Sequence, residues 1–206
     1  MFEKTLIKGA KDILAVLGKS GILNEAYLAG GTALALQLGH RISVDFDFFS
    51  PEKFEPKIFA DQLSELGDFQ ETQASEGTVL GIFEGIRFSL FVYPHRLLQP
   101  VQKYLEVNIA SIEDIATMKI EAIAGRGIKR DFIDLYHICK SGHRMSRLLS
   151  LYKDKYKASD SKFIHIQKSL IYFDDAEIDV TPKMLIKTDW EEIKGYFRGE
   201  VKKIVQ

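Results

Sequence analysis

Cysteine is nearly absent. Cys139 stands alone among 206 residues, which excludes a disulfide framework and a cysteine-ligated zinc cluster. Histidine is sparse as well: the five are scattered, and His137 and His143 lack the helical spacing of a ligand pair. No apolar run approaches the roughly 20 residues of a membrane helix, and the N-terminus has no signal-like apolar segment. A cytoplasmic protein without membrane contact is therefore expected. There is no charge excess either, since 28 Lys and Arg against 29 Asp and Glu leave −1, so no global field announces a polyanion partner. Internal repeats and low-complexity tracts are missing. With these classes set aside, a chain that is 46% hydrophobic and 28% charged fits one soluble domain, or a core with an appendage.

The charge is uneven along the chain. Residues 43–76 carry nine acids against Lys53 and Lys57, while residues 111–157 carry ten Lys and Arg against six acids. An acidic half and a basic half suit a site with a metal on one side and phosphates on the other. They equally suit two solvated faces of opposite sign.

Periodicity divides the chain into an α/β part and a helical part. Residues 3–18 read as an amphipathic helix, with Leu6, Ile7, Ala10, Ile13, Leu14 and Leu17 at helical spacing. A short helix capped by Thr32 runs to Leu38 and stops at Gly39. Residues 42–49 alternate, with Val44, Phe46 and Phe48 on one face and Ser43, Asp45 and Asp47 on the other. Residues 56–66 are helical, and strands follow at 69–73, 78–84 and 86–93, the last two joined by a hairpin at Glu84-Gly85. From Ser111 the pattern turns helical. Ser111 and Asp114 form a capping-box-like start to a helix through Ala124, ended by Gly125-Arg126-Gly127. Further helices are expected over about 130–140, 144–156 and 161–172, with a linker over 157–162. Thr188 and Glu191 read as another capping box, before a stripe of Trp190, Ile193, Phe197, Val201 and Ile204. The expected fold class is α+β, with an α/β core over 1–110 and a helical region over 111–206 packed on it.

The chemistry concentrates in "LAGGTALALQLGHRISVDFDFFSP", residues 28–51. Asp45 and Asp47 lie two apart on a strand, so both carboxylates leave the same face. Two bare like charges there repel, and a divalent cation turns the repulsion into attraction. Mg²⁺, which takes one or two carboxylates with phosphate oxygens and water, fits such a pair. Gly30-Gly31 lies where a strand-like run becomes a helix, a place where backbone N–H groups can approach phosphate with no Cβ in the way. Thr32 adds a hydroxyl, and Arg41 can bind phosphate or neutralise the acids. Lys119 falls inside the apolar stripe of its helix, either as a cation aimed at a triphosphate or as a stem covering apolar surface. Asp131 and Asp134, after Arg126, Lys129 and Arg130, lie in the first turns of a helix, where acids suit its dipole.

"GGTALALQLGHRISVDFDFF" followed by "ASIEDIATMKIEAIAGRGIKRDFIDLYHI" resembles the AbiEii-type nucleotidyltransferase-like family, the toxin half of type IV toxin–antitoxin and abortive-infection systems. The glycine pair and the later Asp-x-Asp also fit the wider polymerase-β-like nucleotidyltransferase pattern. The resemblance spans about residues 28–140. It implies a nucleotidyltransferase fold with a mixed, mostly antiparallel sheet flanked by helices, Mg²⁺ or Mn²⁺, and an NTP substrate. The implied reaction moves NMP onto an RNA such as tRNA, or onto a protein, and a cognate antitoxin is the implied partner. By position, Asp45, Asp47, Lys119 and Asp131 become catalytic candidates, with Asp45 and Asp47 on the metal. Gly30, Gly31, Thr32, Ser43 and Arg130 become nucleotide-binding candidates, with Asp134 a further acid; Arg41 joins them from its place just before the aspartate strand.

One departure stands out. Active relatives usually carry a third carboxylate on a later central strand, where this chain has Ser89. Asp131 could replace it. Otherwise the chain is a degenerate nucleotide-binding or partner-binding module. A different enzyme class, the Asp-x-Asp phosphatases, needs a parallel sheet.

Overall fold

The computed structural model describes residues 1–205. Two compact units divide the chain, one of residues 1–96 and 100–111, the other of 97–99 and 112–206.

The first unit opens differently from the expected helix over 3–18. Gly9 takes a left-handed conformation (φ +85°), which breaks the helical path ahead of it. The residues before it form one 3-10 turn at Glu3–Thr5 and a parallel bridge from Leu6 to Ser43. Helix α1 then runs over Ala10–Ser20 and buries Leu14 and Leu17. After β1 (Tyr27–Leu28), α2 spans Gly30–Leu38 and stops at Gly39 in the left-handed region, as its sequence indicates. Thr32 is not its cap. It lies inside the first turn, and its Oγ1 donates to the carbonyl of Asp45.

Strand β2 (Asp45–Ser50) buries Phe46 and Phe48 and leaves Asp45 and Asp47 half-buried on the opposite face. The alternation expected from residue 42 holds only within the strand, for Ser43 is buried and Val44 exposed. Helix α3 (Pro56–Leu66) starts on a proline, whose fixed φ and missing N–H suit a first turn, and packs Phe59 against the sheet. Strands β3 (Phe69–Ser75), β4 (Thr78–Phe83) and β5 (Ile86–Val92) form an antiparallel meander. The β4–β5 turn places Glu84 and Gly85 at φ 49° and 78°, the geometry that fits the twist of a two-residue hairpin. A second hairpin, β6 (Gln102–Tyr104) with β7 (Val107–Ile109), has no sequence signal. Its turn puts Leu105 and Glu106 at positive φ without glycine.

The sheet order is β3-β4-β5-β2-β1-β7-β6. Pairing is antiparallel except for β2–β5 and β1–β7. The fold is therefore a mixed, mostly antiparallel α+β arrangement, not the parallel sheet that an Asp-x-Asp phosphatase needs. Strand β2 sits at its centre.

The second unit is helical: α4 (Ile112–Gly125), α5 (Lys129–Lys140), α6 (Met145–Tyr156), α7 (Asp160–Ser169), a short α8 (Asp174–Glu177) and α9 (Trp190–Val205). The supposed linker over 157–162 is mostly the start of α7, capped by Ser159. At α9 the cap falls on Asp189, which accepts from the Glu191 N–H, while Thr188 turns to Ile186 and His137. Phe132, Phe173, Trp190 and Phe197 pack edge-on or tilted, with centroids 5.1–6.0 Å apart, as the core of this unit. Asp114, fully buried, accepts the backbone N–H groups of Leu98 and Gln99 and pairs with Lys155 at 2.8 Å. Asp114, expected at the start of α4, thereby also anchors the segment 97–99.

Candidate active site

The first unit builds a site around β2. In the parallel β2–β5 ladder Asp45 stands beside Arg87 and Asp47 beside Ser89, so four polar side chains leave one face of adjacent strands. Arg87 Nε donates to Asp45 Oδ1 at 2.6 Å, and Ser89 Oγ donates to Asp47 Oδ1 at 2.7 Å. Arg87 is largely exposed, so this ion pair contributes little to stability and leaves its guanidinium free to follow another anion.

The start of α2 lies against this pair. Ala29 N–H donates to the Asp47 carbonyl at 2.9 Å, which with the Thr32 bond clamps the helix start to β2. Gly30 has φ +63°, and a Cβ there would come within 2.7 Å of Asp47 Oδ2. At Gly31 a Cβ would meet the Arg41 guanidinium at 2.3 Å and Ser43 Oγ at 3.0 Å. Both glycines are therefore needed for close approach. They bring unpaired helical N–H groups, a buried arginine and two carboxylates into one small region. Gly30, Gly31, Thr32, Arg41, Ser43, Asp45 and Asp47 are brought together as expected, although the Thr32 hydroxyl is engaged with the backbone.

Among the described residues no group of three or more His, Cys, Asp or Glu could hold a metal ion. The donor set at β2 is two carboxylates, which fits a hard cation that completes its shell with substrate oxygens and water. Ser89, on the neighbouring strand, sets a hydroxyl beside Asp47 and adds no carboxylate.

Lys119, Asp131 and Asp134 form a separate cluster in the helical unit. Lys119 Nζ lies 2.8 Å from Asp131 Oδ1 and 2.6 Å from Asp134 Oδ2, with both aspartate side chains fully buried. Arg126 Nε adds a contact to Asp131 Oδ2 at 2.9 Å. Lys119 is thus neither a stem covering apolar surface nor a bare cation, but the centre of a buried ion network. Asp131 does not cap α5, whose N-cap Ile128 has no side-chain bond. Its carboxylate turns to Lys119 and Arg126 instead. Arg130 is half-buried on α5.

Burial works to raise the Asp131 pKa, but Lys119 and Arg126 outweigh it and hold it below the usual 3.8. A depressed carboxylate stabilises the fold above its unfolded pKa and stops doing so as pH falls through its folded value. Melting temperatures of the wild type are therefore expected to fall more steeply below about pH 4 than those of Asp131→Asn. Parallel curves from neutral pH down to pH 3 would refute this.

Sequence reasoning missed Arg87. Its signal was present, since Arg87-x-Ser89 repeats the spacing of Asp45-x-Asp47 on a strand that reads as central. What was hidden is the register that sets the two pairs side by side.

The family model for the nucleotidyl transferase AbiEii toxin of type IV toxin–antitoxin systems matches residues 12–90 and 86–203. An uncharacterized protein of Aquifex aeolicus is 40% identical over 208 residues, covering 98% of this chain and 99% of that protein. A putative nucleotidyltransferase from H. pylori has a similar crystal structure, with TM-score 0.57, 19% identity and 96% of each chain covered. MenT4, a nucleotidyltransferase toxin from Mycobacterium tuberculosis, is similar at TM-score 0.54 and 13% identity, over 94% of this chain and 83% of that one. These two structures share the fold with this chain.

Proposed function

Because the chain belongs to the AbiEii nucleotidyl transferase toxin family of type IV toxin–antitoxin systems, we propose that it transfers NMP from an NTP to an acceptor hydroxyl. The observation that carries this reading is the Asp45/Asp47 pair lying against the Gly30-Gly31 helix start. The acceptor is an RNA, such as tRNA, or a protein, and a cognate antitoxin restrains the activity. A cytoplasmic location suits these substrates, and no helix among the described residues is long and apolar enough to cross a membrane.

Asp45 and Asp47 would hold Mg²⁺ or Mn²⁺, which when bound draws the substrate phosphates to the carboxylates. The N–H groups at Gly30 and Gly31, with Arg41, receive the triphosphate, and Ser43 stands beside Gly31. Arg87 moves from Asp45 to a phosphate oxygen. The acceptor oxygen forms its bond to the α-phosphorus as the bond to pyrophosphate breaks, and the hydroxyl proton passes to water. Lys119 and Asp131 remain catalytic candidates, and Arg130 a nucleotide-binding one, through the family motif.

Radiolabelled NTPs incubated with total RNA and with protein, alongside Asp45→Ala, test the reading. Label that appears with the wild type and vanishes with the variant supports it. Equal labelling by both removes it. The second reading, nucleotide binding without turnover, is favoured by Ser89 in the third-carboxylate position. It predicts no transfer to any acceptor from the wild type and a gain of transfer by Ser89→Asp.

Gly30→Ala should be severe. It places an L side chain at φ +63°, which costs about 1–2 kcal/mol, and drives a Cβ into the Asp47 carboxylate. A displacement of about an ångström at a reacting centre costs on the order of 100-fold in rate. Transfer by this variant should fall to that degree while its melting temperature drops only a few degrees. Transfer within a few-fold of wild type would show that the close approach is dispensable.

A further inference from the structure

The face that carries the two carboxylates continues past them as aromatic surface. Phe49 follows Asp47 by two residues on β2, and Phe91 follows Ser89 by two on β5, in register with Phe49. Their rings lie 5.8 Å apart. Tyr27 stacks on Phe49 at 6.1 Å, and Tyr93, held beside β2 by its N–H to Ser50, meets Phe49 edge-on at 5.4 Å. His95 packs on Tyr93 at 4.9 Å, and Arg96 next to it is exposed. Core packing alone does not explain the group. On the opposite face of the same strands Phe46, Phe48 and Phe88 are at most 2% exposed, whereas Phe49, Phe91 and Tyr93 keep part of their surface in solvent.

We propose that Phe49, Phe91 and Tyr93 form a stacking platform for an unpaired nucleobase at the acceptor end, so that the acceptor is single-stranded nucleic acid and not a protein side chain. The inference rests on the transferase reading above, and geometry gives the platform its side. Displacement at phosphorus is roughly in line, with the attacking and leaving oxygens on opposite sides. The helix start at Gly30-Gly31, with Arg41, holds the leaving pyrophosphate at the N-terminal end of β2. The attacking hydroxyl then comes from the far side, toward Phe91 and Tyr93. A strand advances about 6.6–6.8 Å over two residues, so a base stacked on Phe49 and Phe91 sits within a nucleotide's reach of the carboxylates. Stacking on aromatic rings tolerates any base, and Arg96 supplies a cation for the backbone phosphate that follows.

The test is fluorescence anisotropy with a short fluorescein-labelled oligoadenylate and the full chain. Phe91→Leu and Tyr93→Leu should each weaken binding by roughly 5- to 150-fold, with melting temperature reporting on folding. Phe91→Trp should retain binding, and its new indole emission should be quenched as the oligonucleotide is added. Unchanged affinity in folded leucine variants overturns the proposal, as does an indole that stays unquenched when the oligonucleotide is bound. Label transferred to a protein with RNA untouched also overturns it and reassigns the face to a protein partner. MgATP titration of the wild type and Asp45→Asn scores the transferase reading separately. If affinity does not depend on Asp45, that reading fails, while the platform is still judged by the oligonucleotide.

Discussion

Lys119→Met is expected to lower the melting temperature by roughly 10 °C or more. The lysine side chain is 7% exposed, and the aspartates it joins are not exposed at all. Methionine keeps the length of the stem but leaves Asp131 and Asp134 as two buried like charges without the ammonium between them. Breaking a buried pair from one side typically costs about 3–5 kcal/mol, because the remaining charge stays desolvated. In a chain of this size each kcal/mol is worth about 2–4 °C. The triple variant that also carries Asp131→Asn and Asp134→Asn should recover much of the loss, since nothing charged is then left buried at the centre. Thermal melts by circular dichroism decide the matter. A single variant that melts within about two degrees of wild type would show that the network adds little. For activity measurements, a loss of transfer by Lys119→Met is interpretable only at temperatures where the variant remains folded.

Asp47→Asn should have the opposite signature, with transfer lost and stability kept. Asparagine still accepts the Ser89 hydroxyl bond at the same oxygen, so the local hydrogen bonding survives. The substitution also removes repulsion between two carboxylates on one strand face, so the melting temperature should hold or rise slightly. Transfer should drop by more than about 100-fold, beyond what loss of a residue that merely orients a ligand produces. The combination separates a functional acid from a structural one. A destabilised variant with near-normal transfer would assign Asp47 to the fold alone. A stable variant with near-normal transfer would move the reaction away from β2.

Much of the site could be read from residue types and spacing. The period-two pattern of Asp45, Phe46, Asp47 and Phe48 fixed the strand and its faces, and Gly30-Gly31 marked the close approach. Phe46 and Phe48 are buried where their spacing placed them. The errors arise where tertiary contacts override a local signal. Thr32 reads as a cap, yet its hydroxyl serves the Asp45 carbonyl. Asp131 reads as a residue favoured by its helix dipole, yet its partners lie on α4 and at Arg126. Leu105 and Glu106 form a hairpin turn without glycine or asparagine, so β6 and β7 left no trace in the pattern. Arg87 lay outside the inferred site because parallel register between distant strands cannot be seen in either strand alone.

That parallel pairing has a consequence for how the protein is made. The partners of Asp45 and Asp47 are 42 residues downstream, so the carboxylates are synthesised well before the strand that completes their surroundings. Contacts this distant in sequence form slowly, because the intervening chain must first be closed into a loop. Until β5 docks, β2 presents an open edge rich in phenylalanine, the kind of surface that aggregates. A nascent chain interrupted between Ser50 and Val92 would therefore hold both acids of the site in a sticky, inactive fragment. The two carboxylates therefore gain their polar neighbours only once the meander has folded.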